Sequence, residues 1–307
     1  MNVFLALMLS GCFDNLMQKN NIVHFCFVIL HYGDAVDTMS AIGSVLAQKN
    51  GGHKVSVVVV DNASPNGTGI QVKKQVENLK DVYFIQNKEN FGFARGNNVG
   101  FRFAKYELYA DFIVLMNNDV IIESRDFAEL VLCDYENENF AVLGPCIRTP
   151  NGKLQNPLRK KMLKGLRLKL TIAYLYLDFL LTCLFVSPFI SRFISKFISK
   201  IERYSNSLPM NDVELHGCFL IFSPIYIARF DGLDERTFLY CEEEFLFARC
   251  HFNKLKTRFN PQIQIIHNEV EANNSSIFKI RKKRLFRVRN CLKSLIIYRE
   301  SLKKKLF

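Results

Sequence analysis

No two of the nine cysteines stand in a CxxC spacing. That excludes a zinc ribbon. Their scatter as single residues within apolar stretches, as at Cys26, Cys146 and Cys218, speaks against a disulfide framework and for buried thiols in a reducing cytosol. There is no GxSxG elbow and no cysteine–histidine pattern to supply a nucleophile. The chain also lacks the bias of a disordered or fibrous protein, since apolar residues make up 49% and charged residues 23% of its 307 residues. That length suffices for a sizeable core, in one large domain or two small ones.

Acidic residues are scarce in two segments. Between residues 159 and 203 ten basic residues face two acids, and from 279 to 307 twelve basic residues face one, in a chain of net charge +12. The rest is therefore net acidic. A nucleic-acid binder usually spreads basic residues through its folded domain, whereas an acidic body with two basic, apolar-rich segments suits an anionic lipid surface.

The chain divides into an N-terminal extension (1–21), a first half (22–150), a basic and apolar helical insertion (151–210), a second half (211–276) and a basic helical tail (277–307). The opening MNVFLALMLSGC resembles a lipoprotein leader, but its apolar run is short and no Lys or Arg precedes it. Met17 is the natural start expected for a cytosolic domain. From Ile22 to Ile147 short apolar runs alternate with helical stretches. Val23–Leu30, Lys54–Val60, Val82–Gln86 and Asp111–Met116 read as strands, and Ala35–Gln48 has helical spacing. This is a βαβ series, so a parallel sheet with helices on both faces is expected. Ligands then lie beyond the carboxyl ends of the strands, at Tyr32, Asp61, the loop 87–98 and Asn117–Asp119.

Three acidic loci fall there or nearby. Asp61 ends a β-branched run, where a carboxylate can accept from a uracil or thymine ring NH or a ribose hydroxyl; a turn-forming role fits equally. Asn117, Asn118 and Asp119 sit between two apolar runs, and polar groups at the end of a buried strand need compensation. A hard divalent cation bridging a diphosphate would supply it, with Asp119 as ligand and the two amides on sugar or phosphate; a β-turn is the alternative. The run Glu242-Glu243-Glu244 opens a helical pattern. It reads as a charged helix start or as crowded carboxylates with raised pKa values, suited to a general base.

Taken in order, VVVVDNASPNG, NKENFGFARGNNVGF, VLMNNDVII, GCFLIFSP, FDGLDERTFLYCEEEFL and a lone late His resemble the family-two glycosyltransferases, in a rhamnosyltransferase-like branch that builds bacterial surface polysaccharides. The resemblance runs from about Val23 to Ser276 and implies a GT-A fold: a Rossmann-like, mixed but mainly parallel sheet with helices on both faces. It implies donor contacts at Tyr32, Asp61, Asn90, Gly92, Arg95, Asn98, Asn117 and Asn118. It further implies a metal ligand at Asp119, a second at His267, and the catalytic pair at Glu242 and Glu243, with Glu243 in the place of the family's base Asp. Two departures stand out: Gly33 where the family has Asn, and Glu243 where it has Asp.

The implied activity is inverting transfer of a hexose, rhamnose included, from a UDP- or dTDP-sugar to a glycan or lipid-linked acceptor, assisted by Mg²⁺ or Mn²⁺. Two rivals remain. A nucleotidyltransferase would need a Gly-rich, Arg-containing first loop, and HYGDAVDTMS offers one Gly and no Arg or Lys. A membrane-bound scaffold with a degenerate transferase domain is the non-enzymatic alternative. A processive synthase is disfavoured, because its QxxRW motif needs a Trp and the chain has none.

Leu170–Ile190 has about the length of a spanning helix, roughly 20 residues, but Asp178 near its middle argues against a span. FISRFISKFISK (Phe189–Lys200) repeats Phe and a basic residue every four positions, the pattern of a helix lying in an interface. The expectation is peripheral attachment to the cytosolic face of the cell membrane.

Overall fold

The computed structural model describes residues 22–184, 208–268 and 277–307. The N-terminal extension (1–21), the end of Leu170–Ile190, the repeat Phe189–Lys200 and the end of the resemblance at Ser276 lie outside these residues.

Each apolar run ends at a turn-forming or polar residue, and the strands follow those limits. They are β1 (His24–His31), β2 (Lys54–Asp61), β3 (Val82–Gln86), β4 (Phe112–Asn117), β5 (Val120–Ile122), β6 (Val142–Arg148), β7 (Met210–Asn211), β8 (Phe219–Phe222) and β9 (Thr257–His267). The helices are α1 (Ala35–Leu46), α2 (Thr68–Val76), α3 (Phe93–Tyr106), α4 (Phe127–Glu138), α5 (Gly165–Cys183), α6 (Pro224–Ile227), α7 (Glu242–Phe252) and α8 (Ile277–Lys304). The Asp34 side chain caps α1 by accepting from the Asp37 amide.

All nine strands form one sheet, in the order β3-β2-β1-β4-β8-β6-β9-β5, with β7 on β9. The pairings β1–β2, β2–β3, β1–β4 and β6–β9 are parallel. The pairings β4–β8, β6–β8, β5–β9 and β7–β9 are antiparallel. Following these pairings, β1, β2, β3, β4, β6 and β9 all run the same way, so the sheet is mixed and mainly parallel.

Alternate residues of the central strands feed opposite cores. Phe25, Phe27 and Ile29 of β1 pack with α1, α2 and α4, whereas Cys26 and Val28 pack with α3, α6 and α7. A third cluster joins the insertion and the tail to the body: Leu168 and Ile172 of α5 and Val288, Leu292, Leu295 and Tyr298 of α8 pack on Cys241, Phe245 and Ala248 at α7. Among the described residues Cys26, Cys146, Cys218, Cys241 and Cys250 are buried.

Asp178 is 4% exposed and pairs with Arg284 of α8. The acid that counts against a membrane span in the sequence is thus an internal tie between the two basic segments. Among the described residues no helix is long and apolar enough to cross a membrane.

Candidate active site

Register brings the polar strand ends to one edge. Asp61 lies opposite His31 and Gln86, and Leu30 opposite Asn117. The Asn117 amide donates to the Cys218 carbonyl, which places His216 and Gly217 beside the end of β4. Val120 pairs with His267, and the Asn268 amide donates to the Asp119 carbonyl. Three chain segments remote in sequence, around Asp119, His216 and His267, therefore converge.

Within this group Asp119 Oδ1 is buried and makes no hydrogen bond, while His267 Nε2 stands 3.4 Å away. The other ring nitrogen, Nδ1, lies 2.8 Å from Gln155 Oε1. A carbonyl oxygen can only accept, so Nδ1 donates to it and Nε2 is the ring atom turned toward Asp119. With Nε2 unprotonated the two atoms would be facing acceptors, which a cation could bridge. A small divalent ion with bonds near 2.1 Å holds neighbouring ligands about 3 Å apart, close to the observed spacing. The described residues contain no cluster of three or more His, Cys, Asp or Glu able to hold a metal. Two protein ligands completed by phosphate oxygens is the set these residues fit, a common arrangement for ions that act on diphosphates.

The His216 ring meets the His267 ring edge-on at 5.7 Å. Its Nδ1 accepts from the Cys218 amide at 3.2 Å, which leaves the proton on Nε2. The adjacent Gly217 amide donates to Glu243 Oε1 at 3.1 Å, so the half-buried Glu243 is aimed at the same edge from the first turn of α7. A Cβ on Gly217 would stand 2.9 Å from that oxygen, so glycine permits the approach.

Glu242 and Glu244 face inward. Burial, then the neighbouring Glu243 charge, push the Glu242 carboxyl up to about 8, and its Oε1 is buried without a hydrogen-bond partner. Glu244 accepts from Arg159 at 2.5 Å, and the same guanidinium bonds the fully buried Glu214 at 2.8–2.9 Å. Burial raises both of these carboxyl pKa values against the pull of Arg159.

The donor-side residues divide. Tyr32 is half exposed at the edge. Asp61 is buried and holds the following turn, accepting from the Ser64 hydroxyl at 2.6 Å and amide at 3.0 Å; its other oxygen receives the Gln86 amide at 3.4 Å. Asn90 accepts from Asn62 and from the Gly92 amide. Gly92 has φ 81°, and a Cβ there would overlap the Phe238 carbonyl. Its loop therefore packs directly on the segment leading to α7. Arg95 is exposed, its Nε donating to the Glu235 carbonyl. Asn98 is buried and holds the Leu233–Glu235 loop through three hydrogen bonds. Asn118 donates to the Asp34 carbonyl and the Thr38 hydroxyl, fixing the site edge to the start of α1.

Sequence reasoning missed Asn62, Gln155, Arg159 and His216. Asn62 links the Asp61 turn to the Asn87–Gly92 loop by accepting from Asn87 and Phe91 and donating to Asn90 and Gly92. Its place beside Asp61 was a usable signal. Gln155, Arg159 and His216 lie in stretches without periodicity and gave none.

An open α/β sheet with polar groups gathered at its carboxyl edge defines a nucleotide-type binding fold. The chain matches the family described as Glycosyl transferase family 2 over residues 26–199, and it belongs to that family. It is 30% identical over 95 residues to the low-salt glycan biosynthesis hexosyltransferase Agl10 of Haloferax volcanii, covering 31% of this chain and 29% of that protein. It is 27% identical over 145 residues to the dTDP-rhamnosyl transferase RfbF of Shigella flexneri, covering 47% and 46%. The matches thus span less than half the length of these curated relatives. In structure it resembles S. aureus TarS 1–349, with TM-score 0.52 and 14% identity over 89% of this chain and 72% of that one. TarS 1–349 in complex with UDP gives TM-score 0.51 at 13% identity, covering 87% and 71%. These neighbours establish the GT-A fold.

Proposed function

We propose that this protein is an inverting glycosyltransferase. It moves a hexose, rhamnose among the candidates, from a UDP- or dTDP-sugar to a hydroxyl of a glycan or lipid-linked acceptor in bacterial surface-polysaccharide synthesis, working peripherally at the inner face of the cell membrane. The observation that carries this reading is the convergence of Asp119, His267 and Glu243 at one sheet edge.

Asp119 and His267 would hold Mg²⁺ or Mn²⁺, whose charge offsets that of the departing diphosphate. Tyr32, Asp61, Asn90, Gly92, Arg95, Asn98, Asn117 and Asn118 surround the donor site, some by contact and some, such as Asn98 and Asn118, by holding its walls. Glu243 takes the proton of the acceptor hydroxyl as that oxygen bonds to the anomeric carbon. The bond to the diphosphate oxygen breaks on the opposite face, and its electron pair leaves with the diphosphate. One displacement inverts the anomeric centre and needs no protein nucleophile. Glu242, largely protonated near neutral pH and turned inward, is less suited to take that proton than Glu243.

The test is a screen of UDP- and dTDP-hexoses with and without Mn²⁺ or Mg²⁺, followed by donor hydrolysis or transfer. Cation-dependent turnover that is lost in Asp119→Ala is expected. Full activity after exhaustive chelation would remove the metal from this account, and absence of turnover with every donor would favour a scaffold.

A further inference from the structure

The insertion helix α5 is arranged inside out for a water-facing helix. At 3.6 residues per turn, Leu166, Leu170, Ala173, Leu177, Leu180 and Leu184 fall within about 40° of one line. This row is exposed, with Leu166 at 71% and Leu184 at 69%. The polar Asp178 and Thr182 are turned inward with Leu168 and Ile172. Asp178 is held there by Arg284, and Arg281 donates to the Thr182 and Cys183 carbonyls at the end of α5. The leucine row extends about 27 Å at 1.5 Å per residue. A row that long on a helix already tied to its neighbour is a contact face.

Charge decides the occupant. Lys164, Arg167 and Lys169 at the start of α5 are exposed, as are Lys282, Lys283, Arg287 and Arg289 of α8, alongside the half-exposed Phe286. Apart from the internally paired Asp178, the only acid in the described part of these two helices is Glu300, near the far end of α8. A second copy of this face would set like charges against one another, whereas an anionic lipid surface complements them.

We propose that the leucine face of α5, with the cationic flank of α8, seats in the interfacial layer of an anionic bilayer. This deepens the membrane part of the function proposed above by naming the face that makes the contact. Because α5 and α8 pack on Phe245 and Ala248 of α7, the helix that begins with the catalytic pair is fixed to the lipid-contacting layer. That packing ties the proposed base to the lipid-contacting layer, which suits a lipid-linked acceptor.

The experiment is flotation of the full-length protein with vesicles of phosphatidylcholine alone and of phosphatidylcholine with phosphatidylglycerol. The wild type is compared with a Leu170→Gln/Leu177→Gln/Leu180→Gln variant and with Arg192→Glu/Lys196→Glu/Lys200→Glu. The wild type should float with anionic vesicles and not with neutral ones at low salt, and the leucine variant should bind at least about tenfold more weakly. Its thermal midpoint should be unchanged, because those side chains are exposed. A bimane label on the exposed Cys183 thiol, which adjoins Leu184 at the end of α5, should shift to the blue with anionic vesicles, which reports whether this end of the helix reaches lipid with the leucines intact. Wild-type-like binding by the leucine variant, loss of binding only in the Arg192/Lys196/Lys200 variant, no bimane shift, or a dimer in solution that the leucine variant loses would each overturn the proposal. Vesicle binding does not require turnover, so failure of the transferase reading would leave this result standing, and the reverse.

Discussion

At the scale of single residues, the Asp119–His267 pair depends on one amide. Gln155 accepts from His267 Nδ1 at 2.8 Å and so leaves Nε2 turned to Asp119, at the proposed metal position. Removing such an outer partner typically weakens metal binding about 10- to 100-fold. Gln155→Leu should weaken Mn²⁺ binding by that range in a calorimetric or EPR titration, and an unchanged affinity would mean that the ring orients without it. Glu242 makes a second prediction. Its folded pKa of about 8 lies well above that of an exposed Glu, so its contribution to stability is complete below about pH 4.5. That contribution is lost progressively as pH rises toward 8, because only the unfolded chain has then released the proton. Glu242→Gln should flatten this decline and raise stability near pH 8 by a few kcal/mol relative to the wild type, as read from chemical denaturation at pH 5, 6.5 and 8. These contacts explain the limits of reading the site from sequence. Asp119, Glu243 and His267 could be proposed from the sequence because each is a polar group closing or following an apolar run. His216 and Gln155 act only through contacts with residues far away in the chain, and nothing local marks them.

At the scale of elements, the helix that carries the proposed base is held by an ion triad. Arg159, from the segment before α5, bonds Glu244 of α7 and Glu214 just ahead of β8. Its loss leaves two buried carboxylates without a counter-charge. Arg159→Met should destabilise the protein by about 3–5 kcal/mol, with rescue by Glu244→Gln; a change under about 1 kcal/mol would show the triad to be solvated. Strands β1 to β4 followed the sequence reading to within a residue or so, because continuous apolar runs bounded by polar turns leave little choice of register or end. The pairing of α5 with α8 was not legible. It rests on Asp178 meeting Arg284 across more than a hundred residues, and in the sequence Asp178 registered only as a flaw in an apolar run.

At the scale of the whole molecule, the described parts of the two basic segments, separate in the sequence, form one layer against α7, and the sheet and the candidate site come from other described residues. The tail is consequently part of the folded body. Leu292, Leu295 and Tyr298 cover Phe245 and Cys241, so truncation before Ile277 should expose that cluster and yield insoluble or cooperatively destabilised protein; a soluble truncate with an unchanged thermal midpoint would contradict the packing. Central to the proposed reaction is Glu243 as the group that deprotonates the acceptor. The measurement that tests it most directly is the rate of sugar transfer by Glu243→Gln and Glu242→Gln, with donor affinity determined in parallel. Glu243→Gln should lose about 10² to 10⁴ in rate with donor affinity intact, while Glu242→Gln stays active. Near-normal turnover by Glu243→Gln together with an inactive Glu242→Gln would contradict the account and move the base to Glu242.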